Sequence, residues 1–144
     1  MNESLAHFRS VCQSAFAFLV ADFGFHEALV SGTAVNPYVV EFSNDDISLR
    51  IVGEGYGTVA RLEYIAQDGR PVPSSVLEPD WQPNAWHKKS KLARGNKASQ
   101  DEQIQAAAAL VRTRDRAILQ RDYGRLREAA DRWQQVSSAY KNDA

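Results

Sequence analysis

The sequence predicts an α+β fold in which an N-terminal helix packs on a four-stranded antiparallel meander, followed by a long connection and two C-terminal helices. Apolar residues recur every three or four positions over residues 4–22 and 99–140, the period of a helix with one buried face. Apolar and polar residues alternate in short runs between positions 25 and 65, the period of half-buried strands. The length of 144 residues fits a single domain, 1–144.

The first helix is predicted over residues 4–22, with Ser4 as its N-cap and Gly24 at its C-cap. An apolar stripe along this helix needs a partner, and so do the apolar faces of the strands, so each is expected to cover the other. The stripe residues expected to contact the sheet are Phe8, Phe16 and Leu19.

Cys12 lies on the same stripe and is the only cysteine, so no intrachain disulfide can form. We expect a buried, unreactive thiol, because an apolar site disfavours the thiolate. A lone cysteine is typical of a reducing compartment, and the chain carries no secretory signal or apolar run of membrane-spanning length. These observations predict a cytoplasmic protein with no membrane partner.

Four strands are predicted, over residues 25–30, 38–42, 47–52 and 58–65. Connections this short join only antiparallel neighbours. One face of the sheet is apolar and the other is polar, where we expect cross-strand charge pairing. The polar face offers Glu41, Ser48, Arg50, Arg61 and Glu63.

The glycines of Gly53–Gly57 are similar to a phosphate-binding loop, but Thr58 stands where the dinucleotide fingerprint has its third glycine. A strand follows, so no helix N-terminus is available to hold a phosphate. The pattern favours a hairpin loop that needs positive φ angles.

Residues 66–98 are predicted to be a long connection, because four prolines interrupt any regular element and only Ser74–Leu77 is expected to form a helical turn. Ser99 with Glu102 then forms a capping-box pattern. The following segment, 99–140, is predicted to be a helical hairpin or a kinked helix with a break near residues 122–124.

The net charge of −1 hides a division between the two halves of the chain. Residues 1–83 hold 4 basic and 11 acidic side chains, and residues 84–144 hold 13 basic and 7 acidic ones. This asymmetry favours either a partner surface or an acidic half that packs against a basic half.

The sequence identifies no catalytic residue, no metal ligands and no cofactor. Its three histidines lie outside HxH and HxxxH spacings, and no CxxC motif exists. The histidines are His7, His26 and His87, and His26 cannot form an acid–base pair with Glu27 because neighbours on a strand point to opposite faces.

A partner-binding site is instead predicted in the segment from Trp81 to Lys97, where two tryptophans precede five Lys or Arg residues and no acid. Aromatic and basic residues are enriched at protein interfaces, and such a surface would attract an acidic partner. The alternatives are tryptophans tucked against the core beside a solvated loop, or binding of nucleic acid, which the overall acidity opposes. The site residues are Trp81, Trp86, His87, Lys88, Lys89, Lys91 and Arg94.

Two stretches resemble small uncharacterised bacterial proteins in which a helix precedes a short antiparallel sheet. The sequence from Phe18 to Phe25 resembles their "FL…FGF" opening, and that from Leu119 to Leu126 resembles their C-terminal step between two helices. Arg121 stands where a glycine is common in that step. Some proteins of this build resemble immunity proteins of toxin systems, and this resemblance implies no active-site residues.

The leading functional hypothesis is therefore a non-enzymatic interaction protein. The resemblance implies a specific form of it, a bacterial immunity protein that neutralises a toxin. One alternative is a binding module for nucleic acid or another acidic ligand. The other is an enzyme whose site is assembled from residues scattered along the sequence.

Overall fold

A computed structural model describes residues 3–28, 36–55, 57–82 and 98–142, with side chains up to residue 138. Its α+β class and antiparallel sheet confirm the predicted class. In chain order the elements are α1 (Glu3–Ala15), α2 (Ala17–Phe23), β1 (His26–Glu27), β2 (Val39–Ser43), β3 (Ser48–Glu54), β4 (Val59–Ile65), β5 (Pro71–Pro73), a 3-10 turn (Ser74–Leu77), α3 (Gln100–Arg114), α4 (Arg116–Leu119) and α5 (Gly124–Asn142).

The sheet is a meander of five strands in the order β1-β2-β3-β4-β5, with every neighbouring pair antiparallel. The prediction of four strands was wrong because the proline-rich stretch after β4 contributes a fifth. The first strand pairs only over His26–Glu27, and the remainder of its predicted range, 29–30, lies outside the described residues.

Prolines are tolerated in Pro71–Pro73 because β5 is an edge strand. The hydrogen bond from the Ala66 N–H to the Arg70 carbonyl (2.9 Å) starts the ladder between β4 and β5. Hydrogen-bonded pairs alternate along an antiparallel ladder, so the Val72 N–H faces β4 and both proline nitrogens face outward. The free edge therefore lacks donors at two positions, which opposes pairing with another strand.

The helices cover one face of the sheet and enclose a single apolar core. Phe8, Phe16 and Leu19 are buried in this core, as predicted, and the Phe16 ring stacks on Phe42 of β2 with 6.1 Å between centroids. The core also includes Leu49 and Ile51 of β3, Leu62 and Tyr64 of β4, Ile104 and Val111 of α3, Ile118 and Leu119 of α4, and Leu126 and Ala129 of α5.

The predicted first helix is interrupted at Phe16, which separates α1 from α2. Gly24 ends α2 in the left-handed conformation (φ 74°), as the sequence predicts. The prediction of Ser4 as N-cap was wrong, because α1 begins at Glu3 and the Ser4 hydroxyl lies 2.6 Å from the Tyr38 hydroxyl.

The C-terminal helices form a hairpin with one more break than predicted. Ser99 and Glu102 make both hydrogen bonds of the capping box at the start of α3. The additional break lies at Asp115, a fully buried residue between α3 and α4. The break near residues 122–124 is confirmed, since α5 begins at Gly124.

Several contacts join the acidic half of the chain to the basic half. Arg114 of α3 pairs with Glu78 at 2.7 Å, and Arg121 lies 3.4 Å from Asp46. These pairs support the interpretation that the charge division partly reflects internal packing. No helix of the described chain is long and apolar enough to cross a bilayer.

Candidate functional site

A cleft of about 870 Å³ with apolar walls and several polar groups lies at the N-terminal ends of α1 and α3. Two side-chain pairs line it. His7 Nε2 lies 2.7 Å from Asp101 Oδ2, and the Ser4 hydroxyl lies 2.6 Å from that of Tyr38. The cleft thus brings together polar groups from the two helices and the segment before β2.

The hairpin between β3 and β4 forms another wall of this cleft through its glycines. A Cβ atom on Gly53 would lie 3.0 Å from Gln100 Nε2 and 3.1 Å from both Phe8 Cε2 and Tyr38 Cβ, so these side chains would have to shift to admit a larger residue. Gly55 and Gly57 have φ angles of 63° and 85°, which confirms the predicted hairpin loop with positive φ. The glycines therefore serve backbone geometry and close packing.

The sequence missed the pairing of His7 with Asp101. These residues are 94 positions apart, so no local spacing could reveal that the helices α1 and α3 place them side by side. Within the described residues, no group of three or more His, Cys, Asp or Glu side chains is placed to hold a metal ion.

A second concave surface is the groove between α1 and α3, of about 610 Å³. Its floor is apolar and its rim carries hydroxyl groups. Arg112 is the only charged side chain among the described residues that line it, and its guanidinium lies over the Phe18 ring, 5.0 Å from the centroid. The residues that line the groove include Val11, Ser14, Ala15, Phe18, Ala108 and Ala109.

The buried carboxylate and phenol of the core are paired with each other. Asp115 accepts hydrogen bonds from the Tyr64 hydroxyl (2.8 Å) and from Arg114 Nε (2.6 Å). Burial is the main cause that raises the pKa of Tyr64 well above its ordinary value, and the charge of Asp115 adds to it. Arg114 also binds Ser74 and Glu78, so this network fastens the 3-10 turn to α3.

Cys12 is buried, as predicted. Burial first, and then the charges of Glu27 and Asp101, raise the pKa of this thiol to about 12. The thiol is therefore protonated at neutral pH, and a nucleophilic role is disfavoured.

Of the residues predicted to bind a partner, only Trp81 lies in the described part of the chain. Its ring is half-buried against the core, and its Nε1 is buried without a hydrogen-bond acceptor among the described atoms. The packing of this tryptophan agrees with the alternative in which it belongs to the core. The others lie outside the described residues: Trp86, His87, Lys88, Lys89, Lys91 and Arg94.

No protein-family model, curated protein or solved structure matches this chain.

Proposed function

We propose that this chain is a non-enzymatic interaction protein that binds a partner protein along the groove between α1 and α3. The observation that carries the proposal is the Arg112 guanidinium, which lies over the Phe18 ring at the groove. Among the described residues no carboxylate pairs with Arg112. A cation held in place beside an apolar floor is available to a carboxylate of a partner.

The shape of the groove supports a helical partner. Small side chains, among them Ser14, Ala15 and Ala109, keep the two helices from filling the space between them. Residues 105–113 of α3 span about 12 Å at the helical rise per residue, which matches roughly two turns of a docked helix. Leu110 is one of the few large apolar side chains exposed on the described surface, and it lies on the same helix.

Charge decides which occupant fits. The groove presents a positive charge, so it complements an amphipathic helix with an acidic residue beside its apolar face. The basic sequence at residues 87–97 of this chain carries the wrong sign for this site. An acidic partner is also the class that the sequence predicts, and the resemblance to immunity proteins would make that partner a toxin.

The proposal is tested with a photo-crosslinking residue placed at Ser14, and a control residue placed at the exposed Glu128 of α5. We expect the Ser14 position to trap one protein that the control position does not trap. That protein is then purified, and its affinity for the untagged chain is measured by titration calorimetry.

The charge is tested with Arg112→Glu, for which we expect an affinity loss of about tenfold or more. Arg116→Glu is the matched control, because Arg116 is also exposed and makes no ion pair among the described residues. Equal affinity of the Arg112→Glu variant and the unmodified chain would refute the proposed docking site.

The immunity form of the proposal is tested on the product of the gene that neighbours the one for this chain. If that product stops bacterial growth, co-expression of this chain should restore growth, and the Arg112→Glu variant should fail to restore it. If the neighbouring gene product stops growth and this chain does not restore it, the immunity hypothesis is refuted.

A further inference from the structure

Two contacts join the N-terminal helices α1 and α2 to α3 with the same separation along the sequence. His7 Nε2 lies 2.7 Å from Asp101 Oδ2, and the Arg112 guanidinium lies 5.0 Å from the centroid of the Phe18 ring. Each contact joins residues that are 94 positions apart. The second contact lies further along both segments than the first, so the segments run parallel, and the break at Phe16 leaves their register unchanged.

These two contacts mark the ends of the docking groove. His7 and Phe18 are eleven residues apart, as are Asp101 and Arg112, and this spacing is close to three helical turns. Both contacts therefore lie on the same side of the helices, about 16 Å from each other at the helical rise per residue. The space between them has room for two to three turns of a docked helix.

The two ends of the groove differ in charge. The first turn of α3 contains Asp101 and Glu102, and its last turn contains Arg112 and Arg114. Asp101 contacts His7, and Arg114 belongs to the network inside the core. Among the described residues, the charges without an ion-pair partner are therefore those of Glu102 near one end and Arg112 at the other.

We propose that the partner segment is a helix that docks antiparallel to α1 and α3 and binds Arg112 through an Asp or Glu in its first turn. This inference rests on the proposed function. It adds the direction of the docked helix and the position of its acidic residue, which together define a sequence pattern for the partner.

The position of Arg112 determines where the acidic residue must lie. Arg112 is in the last turn of α3, so the residue that binds it belongs to the first turn of an antiparallel helix or to the last turn of a parallel one. A carboxylate stabilises the first turn of a helix and destabilises the last, because the helix N-terminus carries a partial positive charge. Only in the antiparallel arrangement does the bound residue also stabilise its own helix.

The helix dipoles and the other end of the groove favour the same direction. Because α1 and α3 run parallel, their partial charges have the same sign at each end, and an antiparallel helix places the opposite partial charge beside both. A parallel helix would instead bring its first turn, where acidic residues are preferred, close to Glu102. These contributions add to the effect of the bound carboxylate.

The direction is tested with photo-crosslinking residues placed at Ser10 and at Thr113 of the full chain, which line opposite ends of the groove. Mass spectrometry identifies the partner residue that each position traps. We expect the residue trapped at Thr113 to come about six to ten positions before the one trapped at Ser10, with an Asp or Glu within one turn of it. Gln105 replaces Ser10, and Ala109 replaces Thr113, if a substituted chain does not fold.

The acidic residue is tested by exchanging the two charges. Changing that partner residue to Lys should weaken binding about tenfold or more, and Arg112→Glu in this chain should restore most of the lost affinity for the Lys variant. The control is an acidic partner residue outside the trapped segment, whose change to Lys should leave the affinity unchanged.

The possible failures of the two proposals are distinguishable. A reversed order of the trapped residues, or a trapped segment without an acidic residue near the Thr113 position, would overturn this inference and leave the groove as the docking site. Trapped residues from a second copy of this chain would overturn it in favour of self-association. Trapping of the same proteins at the groove positions and at the control position Glu128 would instead refute the proposed function.

Discussion

The two faces of the sheet carry the same kinds of charged group in opposite surroundings. On the core side, Arg114, Asp115 and Tyr64 form a network closed off from water. On the other face, Arg50 bonds to Glu41 and lies 3.7 Å from Glu63. Arg61 continues this second chain by pairing with Glu63 and Glu54.

The difference shows how burial decides what an ion pair contributes. The arginines of the open face are partly in water, which screens their charges and would solvate them if a partner were removed. Asp115 is fully buried, so a partner left behind by its removal would be an uncompensated polar group in the core. The core-side network therefore fixes the junction of α3 and α4, and the open-face chain mainly keeps that face polar.

The largest effect should come from Asp115→Ala. It leaves the Tyr64 hydroxyl without its acceptor and removes one of the two carboxylates bound to Arg114, so we expect a loss of about 3–5 kcal/mol in the free energy of unfolding. Urea unfolding measures it, with Asp45→Ala as a control at an exposed site. If the two variants lose equal stability, the contrast between the faces is wrong.

The buried Cys12 thiol should make the free energy of unfolding depend on alkaline pH, as an exposed thiol would not. The folded chain keeps the thiol proton up to a pKa of about 12, whereas the unfolded thiol releases it near its ordinary pKa of 9.0. The folded state thus binds more protons in this range, and stability should fall as pH rises from 9.0, by up to about 1.4 kcal/mol per pH unit.

The measurement is the free energy of unfolding in urea at a series of alkaline pH values. Cys12→Ala should be less stable near neutrality because of the cavity, but its stability should fall less steeply with pH. Tyr64 adds a loss of the same sign above its ordinary pKa of 10.0. Equal slopes for the Cys12→Ala variant and the unmodified chain would contradict the assigned cause.

Arg121 combines an exposed ion pair with backbone strain, which neither face of the sheet does. Its φ of 70° lies in the left-handed region, which costs a non-glycine residue roughly 1–2 kcal/mol. Its contact with Asp46 at 3.4 Å is half-exposed and contributes less. Arg121→Gly relieves this strain, but the greater entropy of glycine in the unfolded chain offsets part of the gain. We expect the free energy of unfolding to rise by about 0.5–1 kcal/mol.

The matched variant Arg121→Ala removes the ion pair and keeps the strained φ, so it should be slightly less stable than the unmodified chain. Thermal unfolding of the three proteins orders them. A glycine variant no more stable than the alanine variant would show that strain at this position is negligible.

The smallest effect should come from Arg61→Met on the open face. Methionine keeps the apolar stem, Glu63 retains Arg50 at 3.7 Å, and Glu54 is exposed enough to be solvated, so the loss should be about 1 kcal/mol or less and should shrink at high salt. Urea unfolding at low and high ionic strength measures both. A loss as large as that of Asp115→Ala would remove the distinction between the two faces.

The sequence pattern predicted correctly those features that depend on residues close together along the chain. The α+β class follows from the two periods of apolar residues, and the capping box at Ser99 follows from a spacing of three residues. The hairpin glycines follow from backbone sterics. The ladder of charges on the open face was predicted because cross-strand partners are fixed once alternation and hairpin order are known.

By itself the sequence determined which segments are helical, four of the strands, the buried stripe with Phe16 and the polar face of the sheet, since each depends on residues close along the chain, whereas the breaks at Phe16 and Asp115 were not predicted. Only the tertiary structure decided the rest. An edge position made a strand of Pro71–Pro73, and packing of α3 against α1 brought Asp101 to His7 and opened the groove beside Arg112. These features depend on contacts between distant segments, and no spacing along the sequence encodes which distant groups will meet when the apolar faces pack.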